Sequence, residues 1–309
     1  MKPIFITKTN DRLIQFYERL NRRSSGRLAV LVRASLNFSH KRASLSAAGI
    51  SFFSIFSVFP LLVFTITALN PFIHLPIVQD ALRTWLATSF PVSLVPLLDK
   101  VNALLTTHGS FNLIALIGFL WAASGMFNTM LLDINYAWGI GTTRSKLQSR
   151  AIALVLVTAL AVIVVLLLSL FWLLKLVAGL FLTFWESVGI LSLPLVIQVL
   201  IIFGLYKFGP ATRVNGKAAL IGALIVTLSI ELTTWGFTWY LNSEWTSYKF
   251  LYGSLGAIIG LLFWVYLSNL IVLFGAYLTE AIQTRWESEN PAEFHELITF
   301  ELNEELVPK

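Results

Sequence analysis

The chain has 309 residues, of which 57% are hydrophobic and only 12% are charged. An average soluble domain is about 45–50% apolar and about 25% charged. A single soluble core of this size cannot hide so much apolar surface, because many positions of a folded domain face outward. The composition therefore excludes an ordinary soluble domain and predicts an integral membrane protein. The absence of cysteine excludes disulfides, thiolate metal sites and cysteine nucleophiles.

Residues 1–46 form a basic segment in which two stretches carry an apolar helical face. One stretch covers residues 11–22, and the other covers 27–39, where the repeating apolar residues are Leu28, Leu31, Val32 and Leu36. A basic amphipathic helix just ahead of a membrane span is typical of a helix that lies in the headgroup plane. We therefore predict a membrane-surface segment that contacts anionic lipids, in preference to a helix that binds a protein partner.

Six continuous apolar stretches are long enough to cross a bilayer, which takes about 20 residues. They cover residues 47–69, 112–132, 151–174, 190–208, 218–240 and 254–278. Continuous apolar runs differ from the alternating pattern of a membrane β-barrel, so the predicted fold is all-α. The sequence thus predicts a six-helix membrane domain over residues 47–282, followed by an acidic tail over residues 283–309.

The positions of Lys and Arg predict how these spans are oriented. Of the 22 basic residues, 18 fall in the N-terminal segment, the second and fourth connections and the tail. Because positive charge is retained on the cytoplasmic side, we predict that both termini are cytoplasmic. We expect no cleavable signal peptide, since the first apolar run is a full span behind a long basic segment. Orientation also explains the net charge of +6, so no nucleic-acid partner is predicted.

Between the first two spans, residues 91–108 carry a further apolar helical stripe. Its members are Leu94, Leu97, Leu98, Val101, Leu104 and Leu105, with Ser93 suited to cap the helix. An apolar helix face outside the membrane is expected to pack against another apolar surface. Two interpretations stay open: the stripe caps the outer side of the bundle, or it forms half of a homo-oligomer contact.

Polar side chains inside the spans are candidates for a functional site, because they are costly in hydrocarbon and normally face the bundle interior. Several of them lie at a comparable inner depth, and Pro60 frees backbone carbonyls nearby by kinking the first span. If the first, second and sixth spans are neighbours, these groups line one cavity that faces the cytoplasm. The candidates for this cavity are Ser54, Ser57, Pro60, Asn128, Asn269 and Glu280.

Two acidic residues in or near the spans need a partner. Glu231 lies deep in the fifth span, at a depth similar to that of Gln198 in the fourth. Glu231 is either a carboxylate that couples transport to protons or cations, or a neutral acid that ties two helices together through Gln198. The second interpretation is favoured. Asp133, at the inner end of the second span, is expected to pair with Arg144 or Lys146.

The sequence offers no support for an enzyme. The four histidines are His40, His74, His108 and His295, and none has a partner at metal-ligand spacing. Phosphate-binding loops and serine-nucleophile motifs are missing, and the acidic cluster that two-metal nuclease chemistry needs occurs only in the tail. We therefore predict no catalytic residues, no metal and no cofactor.

Four stretches resemble the YihY/BrkB family of bacterial inner-membrane proteins. They are AAGISFFSIFSVFPLLVF (47–64), WAASGMFNTMLLDINYAWG (121–139), LYKFGPATRVNGKAALIGALI (205–225) and YGSLGAIIGLLFWVYLSNLIVLFGAYLTEAI (252–282). The resemblance implies a six-span protein of the bacterial inner membrane. It also implies that Asn128, Tyr206, Pro210 and Gly275 occupy motif positions of the family. Family members have been described as transporters, linked to serum resistance and labelled ribonuclease BN.

Two functions of different class are consistent with these observations. The first is a transporter or exporter-like permease of unknown substrate, with the polar cavity as its path; a lipid flippase is a variant of it. The alternative is an envelope scaffold or assembly factor that does not transport and works through residues 91–108 and the acidic tail. The ribonuclease label fits poorly, because the residues that such chemistry needs are missing.

Overall fold

A computed structural model describes residues 27–68, 112–141, 183–242 and 248–288, together with a few helical residues at 83, 148, 151–152 and 155. Within the four ranges, side chains are described for residues 28–56, 125–141, 194–241 and 259–288. Six helices are defined there: α1 Arg27–His40, α2 Ala43–Ala68, α3 Asn112–Ala137, α4 Thr183–Phe208, α5 Gly216–Asn242 and α6 Tyr248–Glu287. These ranges contain no strand, so the described part of the chain is all-α, as predicted.

Five of the six predicted spans coincide with helices α2 to α6. By length and composition, Gly216–Leu241 in α5 and Ile259–Glu287 in α6 could each cross a membrane. With 40 residues, α6 is about 60 Å long at ~1.5 Å per residue, roughly twice the thickness of a hydrocarbon core. The predicted stretches 11–22 and 91–108, nearly all of 151–174 and the tail from residue 289 lie outside the described residues.

Helix α6 is the centre of the described bundle, because it contacts each of the other five helices. On one side it packs against α2 and α3, which also pack closely against each other. On the other side it packs against α5, which in turn contacts α4. The first, second and sixth predicted spans are therefore neighbours, which is the condition for the predicted cavity.

Helix α1 packs on α6, a contact that the sequence did not predict. The buried residues of α1 are Ala29, Val30 and Ala34, which share one side of the helix, and these small alanines let the two helix backbones approach. Of the predicted apolar stripe, Leu31 is 44% exposed, whereas Val32 is partly buried against the core. The stretch is helical, as predicted; its position at the membrane surface stays a prediction.

Two helix ends are closed by local sequence signals. Gly139 has a φ of +69°, a left-handed conformation that suits glycine, and follows the last turn of α3. Its N–H bonds the Tyr136 carbonyl at 3.0 Å, and the Ile140 N–H bonds the Asn135 carbonyl at 3.0 Å, which together form a Schellman motif. At the start of α5, the Asn215 side chain accepts a hydrogen bond from the Lys217 N–H at 2.9 Å and caps the helix.

Helices α4, α5 and α6 meet where two glycines remove side-chain bulk. A Cβ atom at Gly275 of α6 would collide with Val226 of α5 and with the Tyr206 hydroxyl of α4. A Cβ at Gly222 of α5 would collide with Thr279 of α6. The gap at Gly275 admits the fully buried Tyr206 ring, whose hydroxyl donates a hydrogen bond to the Val272 carbonyl at 2.6 Å. The two glycines therefore set the spacing of three helices.

Replacing Gly275 with alanine should destabilise the protein, because the new methyl group has no room. Overpacking of this kind costs about 1–3 kcal/mol. The matched control is Gly49→Ala in α2, where a Cβ would meet nothing within 4 Å. That change should be stabilising by up to about 1 kcal/mol, the difference in helix propensity between glycine and alanine. Thermal unfolding of both variants in detergent, followed by circular dichroism, measures the effect; equal midpoints would contradict the packing argument.

Candidate functional site

An ion pair buried between α1 and α6 is the first element of the candidate site. Arg33 Nη2 lies 2.9 Å from Glu280 Oε1, and the two side chains are only 14% and 11% exposed. The Thr284 hydroxyl donates a second hydrogen bond to the same carboxylate oxygen, at 2.9 Å. Both charges are thus largely removed from solvent, and each depends on the other for compensation.

Two further charged residues from neighbouring elements join this ion pair. Lys41, in the turn between α1 and α2, is close to Glu280 and donates a hydrogen bond to the Tyr136 carbonyl near the end of α3. Partial burial lowers the pKa of Lys41, an effect that the Glu280 carboxylate opposes and Arg33 reinforces. Asp133 of α3 is 5% exposed and accepts a hydrogen bond from the Ser46 hydroxyl of α2. We call Arg33, Lys41, Asp133 and Glu280 the charged cluster.

The charged cluster draws on several elements at one end of the described bundle. Two cations come from α1 and the turn that follows it, and two carboxylates come from α3 and α6. Tyr277 of α6 is close enough to Asp133 to interact with it electrostatically, and its ring packs edge-on against Phe38 of α1. Arg33, Asp133 and Glu280 are largely buried, whereas Lys41 is exposed.

Some polar atoms near this end of the bundle are buried without a hydrogen-bond partner among the described residues. They are Glu280 Oε2, the Tyr277 hydroxyl and Trp138 Nε1. Buried polar atoms in native proteins are nearly always paired, so an unpaired group needs a specific explanation. The Glu280 oxygen can accept a hydrogen bond, and the Tyr277 hydroxyl and Trp138 Nε1 can each donate one.

A second polar contact lies deeper along α6. The Asn269 amide donates a hydrogen bond to the Ser51 hydroxyl of α2 at 3.1 Å and another to the Val265 carbonyl at 3.0 Å. Asn269 is 6% exposed and Ser51 is 1% exposed. Eleven residues separate Asn269 from Glu280, which corresponds to about 16 Å along the helix axis. The Ser51–Asn269 pair therefore joins α2 to α6 well inside the bundle.

The other predicted cavity residues differ in their burial and in their hydrogen bonds. Asn128 is half-buried on α3, and its Oδ1 is a buried atom without a partner among the described residues. The Ser54 hydroxyl bonds the Ile50 carbonyl of its own helix at 2.8 Å. Ser57 and Pro60 lie within α2, but their side chains are outside the described set.

Glu231 and Gln198 are not brought together. Glu231 is exposed on α5, next to the apolar residues Leu228 and Leu232, which are 71% and 66% exposed. Gln198 is half-buried on α4, and no hydrogen bond between the two is present in the part of the chain that the structure describes. The acidic residues that are buried among the described residues are Asp133 and Glu280. Residues 144 and 146, the predicted partners of Asp133, lie outside the described residues.

Sequence reasoning missed Arg33, Lys41, Ser51 and Tyr277 as site residues. The first two were counted among the ten basic residues of the N-terminal segment and assigned to orientation and lipid contact. A signal for Arg33 was available: it lies opposite the leucine stripe of α1, among the alanines. A charged residue on the small-residue side of a helix is a candidate for a buried contact, because that side can approach another helix closely.

Gln283 connects the inner end of α6 to the loop between α4 and α5. Its side-chain oxygen accepts a hydrogen bond from the Asn215 N–H at 3.0 Å, and its amide donates to the Arg213 carbonyl at 3.2 Å. On the other side of this loop, the Asn135 side chain of α3 accepts a hydrogen bond from the Ala211 N–H at 2.6 Å. The loop is therefore held by α3 and α6 next to the charged cluster.

Comparison with known protein families identifies the chain. The family model described as "Virulence factor BrkB" matches residues 34–296, most of the chain. The chain belongs to the BrkB family. The matched range begins one residue after Arg33 and includes the rest of α1 and all of α6. Two motif positions implied by the resemblance, Tyr206 and Gly275, are in contact in the structure.

Individual relatives of the chain are distant, and two of the three described below cover most of it. A UPF0761 membrane protein of Vibrio campbellii is 26% identical over 280 residues, which is 89% of each chain. A protein of Bacillus subtilis, YfkH, whose name describes it as ribonuclease-like, is 28% identical over 267 residues, 82% of this chain and 94% of its own. A UPF0761 membrane protein of Pseudoalteromonas atlantica is 38% identical over 101 residues, 33% of each chain. No solved structure gives a significant match.

Removing one member of the Arg33–Glu280 pair should strongly destabilise the protein, because the other charge stays buried without compensation. We expect Arg33→Met and Glu280→Leu each to lower the free energy of unfolding by about 3 kcal/mol or more. The double variant should be more stable than either single variant, since neither charge remains. Chemical unfolding in detergent measures all four proteins.

The control for this comparison is Lys217→Met, which removes an exposed cation near the start of α5. It should change the free energy of unfolding by less than about 0.5 kcal/mol, as surface substitutions usually do. If the effects of Arg33→Met and Glu280→Leu were simply additive in the double variant, the two side chains would not be coupled and the ion pair would not stabilise this end of the bundle.

Proposed function

We propose that this BrkB-family protein is a permease of the bacterial inner membrane, with six membrane spans and both termini in the cytoplasm. The observation that carries the proposal is the buried ion pair of Arg33 and Glu280, with Asp133 buried at the same end of the bundle, in a chain that is similar to membrane proteins. Ionisable residues within membrane bundles are rare, and they commonly mark the path of an ion or a polar solute. The substrate is not assigned.

The geometry supports a path that starts at the charged cluster and leads into the bundle. Glu280 and Tyr277 offer unpaired polar atoms at its inner end, and Asn269 with Ser51 provides a polar contact about 16 Å further along α6. Asn128 adds a buried amide oxygen from α3. In this proposal the ion pair between Arg33 and Glu280 closes the inner end and must open when solute passes.

We also propose that the chain is not a hydrolase, although the name of one relative describes that protein as ribonuclease-like. Metal-dependent RNA cleavage uses clustered carboxylate or histidine ligands at a water-accessible site. In the part of the chain that the structure describes, no group of three or more such residues could hold a metal ion. Of the two carboxylates in the charged cluster, Glu280 is paired with Arg33, and Asp133 accepts a hydrogen bond from Ser46.

The topology can be tested with single cysteines, because the natural chain contains none. With six spans and cytoplasmic termini, Thr107→Cys and Ser243→Cys should react with a membrane-impermeant maleimide on intact spheroplasts. Ser24→Cys and Ser288→Cys should react only after the membrane is opened. Labelling is read by gel shift; the cysteine-free parent is the control. Reaction of Ser288→Cys on intact spheroplasts would contradict the orientation, and failure at Thr107 and Ser243 would contradict the number of spans.

The transport proposal is tested by flux into proteoliposomes across a pH gradient, with a panel of ions, small metabolites and labelled phospholipids. We expect Asn269→Ala and Glu280→Gln to reduce flux by about tenfold or more, which corresponds to ~1.4 kcal/mol in the barrier. The control is Glu287→Gln, an exposed carboxylate two turns further along α6. Unimpaired flux by both cavity variants would exclude the proposed path.

The same assay separates the alternatives for Glu231 and for the protein as a whole. If Glu231→Gln abolishes the pH dependence of flux while the protein stays folded, Glu231 is a coupling residue; normal flux makes it structural. No flux for any solute by well-folded wild-type protein would favour the scaffold function. Movement of labelled phospholipid alone would favour a flippase.

A further inference from the structure

An apolar groove lies between α5 and α6, far from the charged cluster. Its volume is about 580 Å³, within the range of about 300–1,000 Å³ that is usual for small-molecule sites. Leu267, its innermost residue on α6, is 13 residues from Glu280, which is about 20 Å along the helix. The groove is therefore separate from the proposed transport path. It is lined by Thr233, Gly236, Phe237, Tyr240, Leu241, Ile259, Gly260, Phe263 and Leu267.

The walls of the groove are fixed by contacts between the two helices. The Trp264 indole N–H of α6 donates a hydrogen bond to the Thr234 hydroxyl of α5 at 3.0 Å. The rings of Phe237 and Phe263 meet across the helix pair with their centroids 5.9 Å apart. Gly236 borders open space, because a Cβ atom built there would meet nothing within 4 Å. It is a preformed depression and not a gap that depends on rearrangement.

The groove opens onto the exposed apolar surface of the helix pair. Phe263 and Ile259 on its α6 wall are 49% and 46% exposed, and Tyr240 at its end is 49% exposed. The adjoining surface of α5 carries Trp235 and Trp239, which are 69% and 68% exposed. In a membrane protein such a surface meets lipid, because exposed aliphatic and aromatic side chains of this density are disfavoured in water.

A groove of this kind in the hydrocarbon region cannot stay empty or fill with water. Water in a cavity needs two to four polar partners, and the side-chain hydroxyls of the described lining are those of Thr233 and, at the open end, Tyr240. The Thr233 hydroxyl already donates a hydrogen bond to the Ser229 carbonyl at 2.8 Å. An empty groove would forfeit dispersion contacts along all of its walls. A hydrocarbon chain satisfies the lining without leaving any polar group unpaired.

We propose that the groove between α5 and α6 is a binding site for one acyl chain of a bilayer lipid. The chain enters beside Tyr240, whose half-exposed ring and the neighbouring Trp239 are the kind of residues that lie at headgroup level. It then runs along Gly236 and Phe263 towards Leu267. The site is independent of transport, and it holds whether the protein is a permease or a scaffold.

The proposal is tested with a phosphatidylcholine analogue that carries a photoreactive diazirine near the end of one acyl chain. The full-length protein is reconstituted with this lipid, irradiated, digested and mapped by mass spectrometry. We expect wild-type labelling on residues 233–241 and 259–267. Gly236→Phe should lose most of this labelling, because its ring occupies the groove, and a Cβ at that position has room. The matched control is Leu228→Phe, which adds a ring to the exposed face of α5 outside the groove and should leave the labelling unchanged.

Three results would overturn the proposal. The first is labelling of the groove segments that Gly236→Phe leaves at the wild-type level. The second is labelling spread evenly over the exposed apolar surface, as expected for bulk lipid. The third is a disulfide between two copies of Ile259→Cys formed in the membrane before irradiation, since a second copy of the chain would then cover the groove. Thermal unfolding of Gly236→Phe with the wild-type midpoint ensures that lost labelling reflects the filled groove and not a disrupted fold.

Discussion

The buried pairing of Arg33 with Glu280 is the interaction on which the arrangement at one end of the described bundle depends. An ion pair with both side chains almost out of solvent fixes two helices relative to each other, because a separation of a few ångströms would leave two uncompensated charges. Here it holds α1 on α6, the helix that contacts all the others. The turn after α1 then brings Lys41 to the end of α3. Thus a single contact places Arg33 against Glu280 and brings Lys41 close to the same carboxylate.

The other side of α6 is organised by shape instead of charge. At Gly275 the absence of a side chain admits Tyr206 and Val226, and at Gly222 it admits Thr279. Helices in lipid gain no hydrophobic stabilisation from contacting each other, so close packing and hydrogen bonds hold them together. Tyr206 contributes to both, because it packs into the space at Gly275 and its hydroxyl donates a hydrogen bond to the Val272 carbonyl. The helix therefore has one side that is polar towards α1, α2 and α3 and one side that is tightly packed towards α4 and α5.

The sequence predicted the positions of the helices, but it did not predict most of the contacts between them. Continuous apolar runs predicted five helices that the structure describes, because the length of such a run and its exclusion of charge depend on local composition alone. Asn269 and Glu280, the predicted cavity residues of α6, are buried as expected. On α1 the leucine stripe was predicted to face lipid, and the contact with α6, which was not predicted, is formed by alanines and Arg33. Hydrophobicity indicates an amphipathic helix, whereas close packing between helices selects the smaller side chains.

The sequence by itself determined the class of protein, the α-helical fold and the set of polar residues from which a site can be built. Only the tertiary structure decided which of them meet: Glu280 with Arg33, Asn269 with Ser51, and not Glu231 with Gln198. The physical reason is that helical periodicity defines which side chains share a face, but not what that face contacts. Glu231 and Glu280 are equivalent as isolated acidic residues in apolar helices. Neighbouring helices leave one on the outer surface and bury the other against a cation.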